Sequence, residues 1–212
     1  MRTEELINAL VTDEPSTRKR FDFIMAFAVA LGALVAGSLF FVAIGFRPDI
    51  DQAVRSVPFL FKFVVTLSLA TAAIGLCSRL ARPGVPVKEW SYALAIPVIL
   101  LALAVLAELM LTPPSTWAPS LIGSNSRFCL TLIPLLAIGP LACLLLALRQ
   151  GAPTRPGLSG AVAGLAASGI AATFYAANCT DDAPLFVATW YPLAVAMVVA
   201  VGYAMGSLSL RW

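Results

Sequence analysis

Long apolar runs separated by short polar breaks set the architecture of this chain. Six runs reach the roughly 20 residues that a membrane-spanning helix requires: 21–46, 57–80, 90–111, 128–148, 157–177 and 184–208. They are continuously apolar and rich in Ala and Leu, without the alternation of a barrel strand. In lipid every backbone N–H and C=O must find a partner within the protein. The pattern therefore predicts an all-α membrane protein, a six-transmembrane-helix bundle over residues 21–212 behind a tail of residues 1–20. Arg18, Lys19 and Arg20 precede the first run as they would in a signal peptide. That run is too long for an apolar core of about 7–15 residues, so it reads as a retained helix.

The tail has its own pattern. Thr3 is a candidate N-cap, Glu4 and Glu5 suit the positive end of a helix dipole, and Leu6, Ile7, Leu10 and Val11 share one face. Pro15 and Ser16 are expected to stop this short amphipathic helix. Glu4, Glu5, Asp13 and Glu14 disfavour an anionic leaflet, so the apolar face suits a cytoplasmic protein partner bound helix-in-groove.

Composition narrows the chemistry. The 212 residues are 60% hydrophobic and 12% charged, with a mean hydropathy of +0.91 and no histidine. Soluble domains carry about 25% charged residues. Without histidine there is no Ser-His-Asp triad, HExxH zinc site or His-ligated haem. The sequence gives no sign of an enzyme and calls for no cofactor.

Charge sets the expected orientation. The tail, the second and fourth loops and the C-terminus hold Arg2, Arg18, Lys19, Arg20, Arg79, Arg82, Lys88, Arg149, Arg155 and Arg211; the other loops hold only Arg47, Arg55 and Arg127. The bias predicts both termini in the cytoplasm. Lys62 and Glu108 intrude near the outer ends of the second and third spans. At similar depth they are expected to form an ion pair or to snorkel, with a signalling or ion-path role as the alternative.

Small residues give the fifth and sixth spans close-packing faces: Gly160, Gly164 and Ser168, and Gly202 and Gly206. The expected use is packing within one chain; a homodimer seam is the alternative. Pro97, Pro134, Pro140 and Pro192 are expected to kink the helices they occupy.

The four cysteines are unequal. Cys77 and Cys143 lie within spans and read as small packing residues. Cys129 opens the fourth span and Cys179 follows the fifth, so the hairpin through the Arg149–Pro156 turn brings them together at its open end. Three uses remain open: a constitutive disulfide, a redox switch, or a soft-metal site completed by Asp181 and Asp182. Asp181 and Asp182 also fit a plain solvated loop. No Cys-x-x-Cys motif is present, which disfavours a thiol-disulfide enzyme.

Four stretches carry a family resemblance: Arg2-Thr-Glu-Glu-Leu-Ile-Asn-Ala-Leu10, Arg79-Leu-Ala-Arg-Pro-Gly84, Leu148-Arg-Gln-Gly-Ala-Pro-Thr-Arg-Pro156, and Cys179-Thr-Asp-Asp-Ala-Pro-Leu-Phe-Val187 followed by Trp190-Tyr191. In this order, with six spans, the chain resembles the NrsF family over essentially its whole length. The resemblance implies a bacterial inner-membrane anti-sigma factor that holds an extracytoplasmic-function sigma factor of the sigma-F type until stress releases it. Its partners are then that sigma factor and the lipid bilayer, with no direct contact to nucleic acid. The family's two periplasmic cysteines map onto Cys129 and Cys179, which are taken to sense the signal. Where the family often has His and Glu, this chain has Asn178 and Asp181, which weakens a metal site and leaves a thiol switch intact. The rival classes are a small six-helix transporter, which needs polar groups at mid-bilayer such as Ser68, Thr71, Thr131, Thr173 and Tyr175, and a quinone-linked oxidoreductase, which needs vicinal cysteines.

Overall fold

A computed structural model describes residues 3–82 and 84–210, with side chains from Lys19 onward. The described chain is helical. The elements are α1 (Thr3–Ala43), α2 (Ile50–Ala53), α3 (Val57–Leu80), α4 (Lys88–Ala93), α5 (Ala95–Leu111), a 3-10 turn (Pro114–Thr116), α6 (Trp117–Ile122), α7 (Ser126–Leu148), α8 (Pro156–Ala176) and α9 (Pro184–Ser209). Six segments are long and apolar enough to cross a membrane: Lys19–Ala43, Val57–Leu80, Lys88–Leu111, Ser126–Leu148, Pro156–Ala176 and Pro184–Ser209. They match the six apolar runs to within a few residues.

Three boundaries differ from expectation. The tail helix does not end at Pro15: α1 continues from Thr3 through Ala43. Proline removes one backbone donor, a loss that a helix with many other bonds tolerates. The side chains of Leu6, Ile7, Leu10 and Val11 lie outside the described residues. At its far end α1 stops short of Phe46, because Gly45 turns the chain at φ +75° while its N–H bonds to the Phe40 carbonyl at 2.8 Å. The third span is two helices meeting at Leu94. Pro97 cannot donate to the Ala93 carbonyl, so the ladder is interrupted there and Pro97 becomes part of the first turn of α5. Pro134, Pro140 and Pro192 do lie inside their helices, α7 and α9.

The core forms around α8. Of its most apolar window 67% is buried, against 6% for the third span. Its sequence explains this: Gly160, Ala163, Gly164, Ala166, Ala167, Gly169, Ala171 and Ala172 let neighbouring backbones approach from several sides. The faces of Gly160/Gly164 and Gly202/Gly206 meet each other. A Cβ on Gly164 would stand 2.8 Å from the Val198 carbonyl oxygen, and one on Gly206 2.6 Å from that of Pro156. Both small-residue faces are thus used within one chain.

At the end of the bundle carrying the Arg149–Pro156 turn, two loops are tied together. The Ala152 N–H donates to the Ala81 carbonyl at 3.0 Å, Arg82 pairs with Asp22, and its guanidinium lies over the Phe21 ring. Arg149 donates to the Ser209 carbonyl at 3.2 Å. Helix direction puts the termini of α7, α8 and α9 nearest to Cys129 and Cys179 at the opposite end.

Candidate functional site: a buried thiol pair under a charged clasp

Two elements place the thiols. Cys129 sits in the first turn of α7, its N–H bonded to the Asn125 carbonyl at 2.9 Å. Cys179 follows the last turn of α8, its N–H bonded to the Tyr175 carbonyl at 3.0 Å. The antiparallel hairpin brings the two side chains beside each other, and both are fully buried free thiols. Tyr175 and Tyr191 flank them, with ring centroids 6.0 Å apart. The Tyr175 hydroxyl donates to the Asn125 carbonyl at 3.5 Å, whereas that of Tyr191 is buried without a nitrogen or oxygen partner.

The two aspartates have separate tasks. Asp181 binds the chain just before α7: its carboxylate accepts from the N–H groups of Ser124 (2.9 Å) and Asn125 (2.7 Å) and from the Asn125 side-chain amide (3.0 Å). Unpaired N–H groups at a helix start favour such an anion. Asp182 turns the other way and accepts from two cations, Lys62 at 2.5 Å and Arg47 at 2.8 Å. The loop that carries Cys179 is thereby pinned to α3, to α7 and to the segment after α1.

The expected Lys62–Glu108 pair is not formed. Lys62 is 1% exposed and does not snorkel. It bonds the Cys179 carbonyl at 2.9 Å and pairs with Asp182. Glu108 instead accepts the Leu185 N–H at 2.8 Å and so caps α9. A buried ammonium needs several acceptors as well as an anion, and the 179–182 loop supplies both where Glu108 offers only a carboxylate. Arg47, counted in the sequence only as an outer cation, joins the cluster: it donates to Asp49 at 2.7 Å and to the Cys179 carbonyl at 3.3 Å. These pairings raise the Arg47 pKa and lower that of Asp49. The neighbouring Cys129 thiol and the charge of Lys62 draw the Cys179 thiol below its ordinary range, against the opposing effect of burial.

The carboxylates engaged by the clasp do not converge on the thiols. Among the described residues no three His, Cys, Asp or Glu side chains gather as a metal-binding group. Asn178 donates to the Gly45 carbonyl at 3.1 Å. The span hydroxyls of Ser68, Thr71, Thr131 and Thr173 bond to carbonyls of their own helices. They do not form a polar path. Cys77 is buried and Cys143 half-buried, as packing residues are.

Fold and site define an all-helical protein with six helices long and apolar enough to cross a membrane and a paired-thiol centre at one end. Comparison with known proteins gives the family. Residues 10–212 match the family described as NrsF, negative regulator of sigma F. Over the full length of both chains it is 34% identical to the anti-sigma-F factor NrsF of Caulobacter vibrioides (strain NA1000 / CB15N). It is 30% identical, again over both full lengths, to the probable anti-sigma-F factor NrsF of Azospira oryzae (strain ATCC BAA-33 / DSM 13638 / PS). No solved structure gives a significant match. The chain belongs to the NrsF family, whose members are regulators and not enzymes.

Proposed function

We propose that this protein is an inner-membrane anti-sigma factor. It holds an extracytoplasmic-function sigma factor of the sigma-F type at the cytoplasmic face and releases it when Cys129 and Cys179 are oxidised on the periplasmic side. The observation that carries this reading is the contact between the two thiols, at the opposite end of the bundle from the basic loops. Charge asymmetry supports the orientation, with both termini and the 1–20 segment in the cytoplasm. The helix from Thr3 enters the first span without interruption, so a partner bound along Leu6, Ile7, Leu10 and Val11 would feel movement of α1 directly.

The mechanism follows from the pinning of the 179–182 loop. Joining Cys129 to Cys179 draws the end of α8 against the start of α7 and shifts the loop on which Lys62, Arg47, Ser124 and Asn125 all converge. A bias of a few kcal/mol between two packings changes partner occupancy many-fold. Replacing both cysteines by Ser is expected to leave sigma-dependent transcription low and unresponsive to oxidative stress. A normal stress response in the double variant would refute thiol sensing. Removing residues 1–15 is expected to abolish co-purification of the sigma factor while the protein stays in the membrane fraction.

A further inference from the structure

The two thiols are not placed symmetrically, and the asymmetry bears on how they react. Cys129 belongs to a helix, and its peptide is engaged in the α7 ladder. Cys179 lies beyond the end of α8, and two cations address its peptide: Lys62 at 2.9 Å and Arg47 at 3.3 Å from its carbonyl oxygen. Its thiol donates to the Asp181 carbonyl oxygen at 3.7 Å. Cys129 lies beside it, and Tyr191, whose buried hydroxyl has no hydrogen-bond partner, is an electrostatic neighbour of both sulfurs. A sulfur beside a second thiol, with a buried ammonium bonded to its own residue's carbonyl, is better placed to carry negative charge than the sulfur of Cys129.

We propose that Cys179 is the thiol that attacks the oxidant and Cys129 the thiol that resolves it, with Lys62 and Tyr191 as positioning residues for the Cys179 thiolate. This rests on the thiol-switch reading above and gives it a direction. The oxidant class is a hydroperoxide. Both sulfurs are fully buried, which selects for a small, uncharged reagent. The Cys179 thiolate attacks one peroxide oxygen: an S–O bond forms, the O–O bond breaks, and the departing hydroxide takes up the proton that Cys179 had released, leaving as water. Sulfur has then lost two electrons and is a sulfenic acid. The Cys129 sulfur attacks it, the S–S bond forms, the S–O bond breaks, and hydroxide leaves with the Cys129 proton as a second water. The sum is two thiols and one hydrogen peroxide giving one disulfide and two waters.

The test uses the full-length protein in membranes or detergent. Reduced wild type is labelled with limiting iodoacetamide and, separately, oxidised with hydrogen peroxide in the presence of dimedone; both products are mapped by mass spectrometry. Cys179 is expected to be alkylated about tenfold faster than Cys129 near neutral pH and to carry the dimedone adduct. The charged and titratable groups around Cys179 are Cys129, Tyr175, Tyr191, Lys62, Asp181 and Asp182, with Arg47 on its carbonyl. The thiolate fraction of Cys179 therefore has its midpoint below that of an ordinary thiol. Lys62→Met removes the cation, favours the neutral thiol and moves that midpoint upward; Lys62→Arg restores it, which a merely structural role for Lys62 would not predict. Tyr191→Phe slows oxidation of Cys179 without changing which cysteine reacts first. Preferential modification of Cys129 in wild type overturns the assignment, whether or not the variants fold. If Cys179 reacts first but no Cys129–Cys179 disulfide appears on non-reducing mapping, the assignment of the thiolate stands and the switch reading falls. If the disulfide forms through oxidised Cys129, the reverse holds.

Discussion

Lys62 shows how a single side chain can be misplaced by reasoning from depth alone. Depth in the membrane suggests Glu108, the other ionisable residue inside a span. The structure gives Lys62 the carboxylate of Asp182 and the carbonyl of Cys179. Those acceptors lie in a loop far along the chain, and nothing local in the sequence says that the loop folds down onto α3. A hint was present: a buried cation needs a nearby anion, and Asp182 was available on the expected outer side. The roles now rank the expected cost of substitution. Asp182→Asn strands Lys62 in the interior and should cost the most, about 3 kcal/mol. Lys62→Met leaves Asp182 paired with Arg47 and should cost about 1–2 kcal/mol. Glu108→Gln keeps an acceptor for the Leu185 N–H and should cost at most about 1 kcal/mol. Thermal unfolding in detergent reads the order directly.

At the scale of helices, the sequence is informative because long apolar runs leave few ways to fold. The six runs, the antiparallel hairpin of α7 and α8 and the meeting of Cys129 with Cys179 all follow from span length and connection length. The two departures from expectation, a break at Pro97 and none at Pro15, are backbone matters. Pro97 splits the third span where a steady kink was expected, and Pro15 does not end α1. The second outcome reflects the context of a long helix, which propensity at one residue does not capture. The pairing of Gly160 and Gly164 with Gly202 and Gly206 is close enough that side chains have no room. Gly160→Leu should therefore separate α8 from α9 and destroy the folded chain, seen as loss of the monodisperse peak on size exclusion, whereas disruption of a homodimer seam would only shift that peak to smaller size.

Across the whole molecule, the least apolar of the six spans is the one most enclosed, and the most apolar one is the most exposed. That is the order expected of helices packing in lipid, where apolar side chains gain little by meeting each other and the centre goes to the helix whose backbone can be approached. That ordering was legible in the residues of α8. The charged clasp was not, because it is assembled from loops whose course depends on that packing. Asp181 ties the loop of Cys179 to the start of α7, Asp182 ties it to α3, and Glu108 ties the start of α9 to α5. The loop that carries Cys179 and the start of α9 are thus each fixed by a carboxylate, in addition to the packing of the helices along their lengths.

The marginal position of α5 has a consequence for how this sequence can vary. A helix that touches its neighbours so little stores almost no information beyond its length, its apolarity and one carboxylate. Saturation mutagenesis of residues 95–111, scored by sigma-dependent transcription, should return a nearly flat profile for apolar replacements, broken by a single sharp intolerance at Glu108. The same experiment on α8 should return the opposite, with tolerance confined to Ala, Gly and Ser at most positions. One protein would then contain two rates of drift: a rim free to be rewritten, and a centre in which almost every letter is fixed.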